Sequence, residues 1–256
     1  MYCEEIKQIA AAAEKKSAFL KQSPSKYLLL SALAGMYVGF GILLIFSIGG
    51  LLSQVDSPLV RIVMGISFGI ALSLVIMAGS ELFTGNHMVM TIGNMEKKVT
   101  ISETVTVYLF SFIGNLLGSI FIAYLFVLSG LAQGSTAAFM TKIAHSKVSL
   151  PWIELLARGI LCNMLVCLAT WCSFKMKEET GKLIMIFWCL FAFITTGFEH
   201  SIANMTLLST VLIMPGLETL SLTGFIYNMF WVTLGNFIGG ALLVGLPYWY
   251  ISTKNQ

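Results

Sequence analysis

Six stretches of this chain run with almost no charge, all but the fifth for twenty residues or more, the length a helix needs to cross a hydrocarbon core of roughly 30 Å; the fifth is too short to span alone and continues past a polar interruption. They cover roughly Tyr27–Leu52, Val60–Phe83, Val105–Leu128, Trp152–Phe174, Leu183–Thr196 and Gly224–Tyr250. In lipid every backbone polar group needs a partner inside the protein, so spans are either helices or closed barrels of short alternating strands. Continuous apolar runs select helices. Charged residues make up only 11% of the 256-residue chain, against about a quarter in soluble domains, which excludes a soluble fold. The expected class is an all-α membrane protein of six transmembrane helices.

The flanking segments are read by the same logic. Residues 1–24 are polar and lysine-rich and lack the apolar core of a cleavable leader. Ile6, Ile9, Ala10, Ala13 and Leu20 recur at helical spacing, which predicts an amphipathic helix on the membrane face with Lys15, Lys16, Lys21 and Lys26 at lipid headgroups. Residues 25–252 form the membrane domain, and 253–256 a short tail. Basic residues alternate between the loops. Lysines 7, 15, 16, 21 and 26, Lys97 and Lys98, Lys175, Lys177 and Lys182, and Lys254 fall on one side; Arg61, Lys142 and Lys147 fall on the other. The positive-inside rule then predicts a multi-pass protein of the cell membrane with both termini cytoplasmic.

The chain also repeats itself. Gly114-Asn115-Leu-Leu-Gly118 matches Gly235-Asn236-Phe-Ile-Gly239, Gly79, Glu81 and Asn86 match Gly197, Glu199 and Asn204, and more weakly Gly35 matches Gly159. Two units, about 25–130 and 150–252, each hold three spans. Three is odd, so the second unit enters from the opposite side and the repeats are inverted. Folds of this kind place their sites near the midplane on discontinuous helices. Polar interruptions break the second and fifth runs at equivalent positions: Gly79-Ser-Glu-Leu-Phe-Thr84-Gly-Asn-His87 and Thr195-Thr-Gly-Phe-Glu199-His200-Ser-Ile-Ala-Asn204. The chain resumes after them as Met88–Gly93 and Met205–Met214.

Acid, imidazole and amide groups at membrane depth are costly unless they pair or line a cavity. His200 is read as the one histidine deep in a run, with His87 and His145 near ends or loops. Its imidazole can donate to a passing anion or carry charge, and Thr84 in the opposing break can complete a polar pair with it. Glu199 and Asn204 belong to the same polar centre. Lys147, in an outer loop otherwise poor in cations, would gather anions at a mouth. Glycines at spacing four, such as Gly114 and Gly118, serve close helix packing. The cysteines show no metal-ligand spacing, and no nucleotide loop or nucleophile motif appears, so neither a cofactor nor an enzymatic activity is expected. A net charge of +3 gives no reason to expect nucleic acid.

The two interruptions, Ala78-Gly-Ser-Glu-Leu-Phe-Thr84-Gly85 and Gly197-Phe-Glu-His-Ser-Ile-Ala-Asn-Met205, resemble the paired signatures of the formate/nitrite transporter family. The likeness runs through residues 25–252, including Trp231-Val-Thr-Leu-Gly-Asn236 and Leu246-Pro-Tyr-Trp-Tyr250, and leans toward the nitrite branch, with hydrosulfide channels close by. The resemblance implies an aquaporin-like fold assembled as a homopentamer, with one pathway per protomer for small inorganic or carboxylate anions. It implies a central histidine at His200, its partner threonine at Thr84, a vestibule lysine at Lys147 and a pathway asparagine at Asn163. It also implies narrow apolar rings at Phe68, Phe193, Leu72, Leu82, Phe83 and Val166. The expected function is passage of monovalent weak-acid anions such as nitrite, formate or hydrosulfide. A proton-coupled carrier and a neutral-solute channel for water or glycerol stand as the alternatives.

Overall fold

The computed structural model describes residues 2–215 and 220–252, so the tail expected at 253–256 lies outside the described residues. The chain forms α1 (Cys3–Gln22), α2 (Pro24–Ser53), α3 (Val60–Ser67), α4 (Ile70–Met77), α5 (Phe83–Met95) and α6 (Ile101–Leu128). The second half follows as α7 (Gly134–Ser149), α8 (Trp152–Lys175), α9 (Glu179–Thr196), α10 (Ser201–Ile213) and α11 (Leu222–Phe237). A π-helical stretch, Ile238–Gly245, joins α11 to α12 (Leu246–Ser252). Six helical segments are long and apolar enough to cross a bilayer: Pro24–Ser53, Val60–Met77, Ile101–Leu128, Trp152–Lys175, Glu179–Thr196 and Leu222–Ser252. Each coincides with one predicted run, and α5 and α10 are the predicted continuations beyond the two breaks.

Helix ends are set by local chemistry. Pro24 opens α2, where a missing N–H costs nothing. Thr100 and Glu103 close a reciprocal capping box on α6, the Glu103 carboxylate accepting from Thr100 N–H at 2.6 Å and the Thr100 hydroxyl from Glu103 N–H at 3.2 Å. The Ser221 hydroxyl accepts from Gly224 N–H at 3.0 Å to start α11. Glycines at 79 and 197, with φ of 76° and 82°, end α4 and α9 in the left-handed region that a side chain disfavours.

The two halves are built alike. α2 packs on α6 and α8 on α11, with backbones in contact: a Cβ on Gly118 would fall on the carbonyl of Ala32, and one on Gly239 on that of Ile160. These pairs fix the register between halves. Ala32 corresponds to Ile160, so Gly159 corresponds to Ser31 and Gly35 to Asn163. The expected Gly35–Gly159 equivalence is therefore wrong by one helical turn. Asn115 donates to Ser31 O at 2.7 Å and Asn236 donates to Gly159 O at 2.8 Å, which repeats the corrected register.

The surface elements also differ from expectation. The buried side of α1 (Ile6, Ile9, Ala10, Ala13, Ser17, Leu20) docks on the protein, mainly on α5. Lys16 and Lys21 are held by the carboxylates of Glu81 and Glu103 instead of lipid headgroups. An amphipathic stripe satisfies a protein groove as well as a bilayer, and the sequence alone does not distinguish the two. The expected outer loop around Lys147 is the helix α7. Helix α1 precedes α2 as α7 precedes α8, so a surface helix leads into the first span of each half.

Candidate functional site

Both breaks are pinned by one asparagine each. The Asn115 side chain accepts from Phe83 N–H at 2.9 Å and donates to Glu81 O at 2.9 Å. Asn236 accepts from Ser201 N–H at 2.9 Å and donates to Glu199 O at 3.0 Å. Two further amides reach the first helix of each repeat, Glu81 N–H to Leu30 O at 3.4 Å and Glu199 N–H to Arg158 O at 3.2 Å. These bonds anchor the broken backbone inside the protein, where membrane depth requires partners.

The half-helices α5 and α10 start at the breaks and run outward to opposite faces. Their N-termini face the middle, each with the partial positive charge of a helix start. There Thr84 Oγ1 lies 3.0 Å from His200 Nε2, the pair expected from the sequence. His200 is the N-cap of α10, its Nδ1 accepting from Ala203 N–H at 3.1 Å. A nitrogen that accepts carries no hydrogen, so in the neutral ring the hydrogen sits on Nε2 and is donated to Thr84 Oγ1. The Thr84 hydroxyl hydrogen is then left to donate elsewhere. Protonating Nδ1 would cost α10 this cap, so the geometry supports a neutral donor relay rather than an imidazolium.

Apolar groups flank the pair. Phe193 stacks on His200 with ring centroids 5.9 Å apart and meets Phe68 edge-on at 5.6 Å. On the other side Leu72 and Leu82 line a cavity of about 800 Å³, with Lys16, Glu81, Lys175 and Lys177 nearer the α1 face. Val166 is buried on α8 beside them in the core. Phe83 shares the buried core with Leu72, Leu82 and Val166, and its ring also packs edge-on with His87, Tyr108 and Phe112.

Each mouth carries a lysine–carboxylate pair. Lys147 Nζ lies 2.7 Å from Glu199 Oε1, and Asn204 donates to Glu199 Oε2 at 2.6 Å while also bonding Asn228. At the other face Lys16 Nζ lies 2.6 Å from Glu81 Oε2, which also accepts from Tyr27 OH at 3.0 Å and Asn86 at 3.3 Å. Glu199 and Asn204, expected in the polar centre, therefore belong to the α7-side vestibule. Sequence reasoning missed Lys16, Glu81 and Tyr27, although the match of Glu81 to Glu199 was a signal that a second cation was required.

Asn163 sits behind the pair. Its Nδ2 lies 3.2 Å from Thr84 O, 2.6 Å from Asn236 O and 3.0 Å from His87 Nδ1. His87 is as deeply enclosed as any residue in the protein, at 0% exposure, so His200 is not the only histidine at depth.

Inverted repeats, facing half-helices and a polar pair between apolar rings define a membrane transport protein of the channel type. The formate/nitrite transporter family profile matches residues 4–250, and the chain belongs to that family. The "Nitrite transporter NirC" of Escherichia coli (strain K12) is 43% identical over 99% of this chain and 94% of that protein. The "Formate channel BtFdhC" of Bacillus thuringiensis is 34% identical over 93% of this chain and 91% of its own length. Among solved structures, an "FNT family ion channel" superposes with a TM-score of 0.92 at 39% identity, covering 98% of this chain and 99% of that one. A "Pentameric formate channel with formate bound" gives 0.80 at 28% identity, covering 91% and 99%.

Proposed function

We propose that the chain forms a passive pathway for small monovalent weak-acid anions, with nitrite as the first candidate and formate and hydrosulfide next. The observation that carries this reading is the neutral His200–Thr84 pair, set between the N-termini of two half-helices and enclosed by apolar rings. The lysines at the mouths, each held by a carboxylate, offer hydrogen-bond donors to the arriving anion. Thr84, with its oxygen occupied by His200, turns its hydrogen toward the permeant. The rings formed by Phe68 and Phe193 on one side and Leu72, Leu82 and Val166 on the other strip water. A bare charge there is expensive, and the environment favours protonation of a weak acid. A neutral His200 leaves charge removal to the proton that the permeant itself acquires, so anion and proton move together.

The identity to a nitrite transporter over nearly the whole chain supports the nitrite reading. The lysine distribution supports a cytoplasmic location for both termini in the cell membrane. The pentameric neighbour supports fivefold assembly with one pathway in each protomer. The test is flux into proteoliposomes of nitrite, formate and hydrosulfide against chloride and glycerol at two pH values. Rapid passage of one weak-acid anion over chloride is the expected result. Glycerol flux alone would overturn the reading in favour of a neutral-solute channel. Saturating flux dependent on an imposed proton gradient would establish the coupled carrier instead.

A further inference from the structure

The two breaks differ at the glycine that opens each. A Cβ on Gly79 would meet nothing within 4 Å, whereas one on Gly197 would lie 3.9 Å from Nη1 of Arg61. Arg61 is an exposed residue in the first turn of α3. The end of α2 packs on α7, Gly49 against Phe139 and Gly50 against Thr136, so α3 starts on the α7 side of the protein. Seven residues beyond Arg61 the backbone is still helical at Phe68. Two turns bring a side chain back to within about 20° of the same face, roughly 10 Å further along the axis. Between the two on that face, Gly65 packs on Phe191 and Thr195 of α9, and Phe68 meets Phe193 edge-on. The face that carries Arg61 is therefore the face that closes the apolar ring. The guanidinium stands above that ring, at the mouth where Lys147 and Glu199 lie.

Its charge is not spent on a neighbour. Lys147 is held by Glu199 and Arg158 by Glu154. Among the described residues no carboxylate lies within ion-pair distance of Arg61. The end of α9, which stops at Gly197, supplies the partial negative charge that steadies the guanidinium beside it. An ammonium would serve that helix end as well. A guanidinium adds two parallel N–H groups, spaced to meet two oxygens carried on one atom. Nitrite and formate each present such an edge. Chloride and hydrosulfide offer a single acceptor atom.

We infer that Arg61 is an anion-docking residue at the α7-side mouth, one that grips nitrite or formate through both oxygens and discriminates against anions with one acceptor atom. The inference rests on the anion reading of the pathway and narrows its substrate class.

The test is protection of the full-length protein in detergent against phenylglyoxal, which modifies free guanidinium groups, read by mass spectrometry. Arg61 and Arg158 are the arginines of the chain, so Arg158, held by Glu154, is the internal control. At constant ionic strength, nitrite and formate are expected to protect Arg61 at about a tenth of the concentration that chloride needs, the worth of one added hydrogen bond. Arg158 is expected to react alike in all three salts. Equal protection of Arg61 by every anion, or equal protection of both arginines, would overturn the inference. Arg61→Lys keeps the charge and removes the fork. The rise in thermal midpoint that nitrite gives over chloride is expected to need about tenfold more nitrite in this variant, and an unaltered rise would count against the docking role. Absence of any anion flux in wild-type proteoliposomes would remove the pathway reading instead, a result that the modification assay does not touch.

Discussion

Asn115 and Asn236 make the same three hydrogen bonds in opposite halves of the protein: one accepted from an amide past a break, one donated to a carbonyl within the break, and one donated to a carbonyl of the neighbouring helix. Losing either side chain strands two buried backbone groups in its break. A buried unpaired group costs about 1–3 kcal/mol. Asn115→Leu and Asn236→Leu are each expected to destabilise by about 3 kcal/mol or more, read as a large drop in thermal midpoint in detergent. A drop at one site with none at the other would show that the halves are not equivalent.

Thr84 is predicted to act through its hydroxyl. Thr84→Val preserves shape and removes the donor left over after His200 is satisfied, so nitrite flux falls about tenfold, the worth of a hydrogen bond. Thr84→Ser retains most of the flux. Stopped-flow uptake into proteoliposomes separates the two, and equal loss in both variants would assign the effect to packing.

Lys147 and Glu199 have side chains only 18% and 3% exposed, so each depends on the other's charge. Lys147→Met strands the carboxylate, with an expected loss of about 3–5 kcal/mol. Adding Glu199→Gln removes the stranded charge, so the double variant is expected to melt near wild type. The ion pair and its neutral replacement carry the same net charge, so its nitrite uptake is expected to depend on salt as wild type does.

Flux should rise as the solution becomes more acidic. Well above the permeant's own pKa, each unit of falling pH raises the neutral acid about tenfold, and the rate-limiting apolar rings pass that form. Chloride leakage should not follow. A nitrite flux indifferent to pH between 5 and 8 would mean that the anion crosses bare.

The spans were legible because membrane depth leaves little freedom: a run without charge can only be inside lipid. The breaks were legible because Glu199 and His200 have no place in such a run without a partner. What stayed hidden depended on direction rather than composition. His87 follows Asn86 by one residue, and a turn of 100° decides between vestibule and core. Lys16 lies in a segment whose apolar stripe suits lipid and protein alike. Gly35 and Gly159 align in sequence because the glycine-rich α2 offers several partners for the single glycine of α8, and only the carbonyls of Ala32 and Ile160 exposed the one-turn slip. Nothing in Ile238–Gly245 announced a π-helical stretch, since a wide turn has no composition of its own.

The equivalence of α1 and α7 extends to what they deliver. Lys16 and Lys147 side chains are 20% and 18% exposed, each against the carboxylate of its own break. An ion approaching from either compartment meets a lysine clasped by an acid before it reaches the centre. In a passive pathway of the kind proposed, the direction of net movement is set by the two solutions it separates.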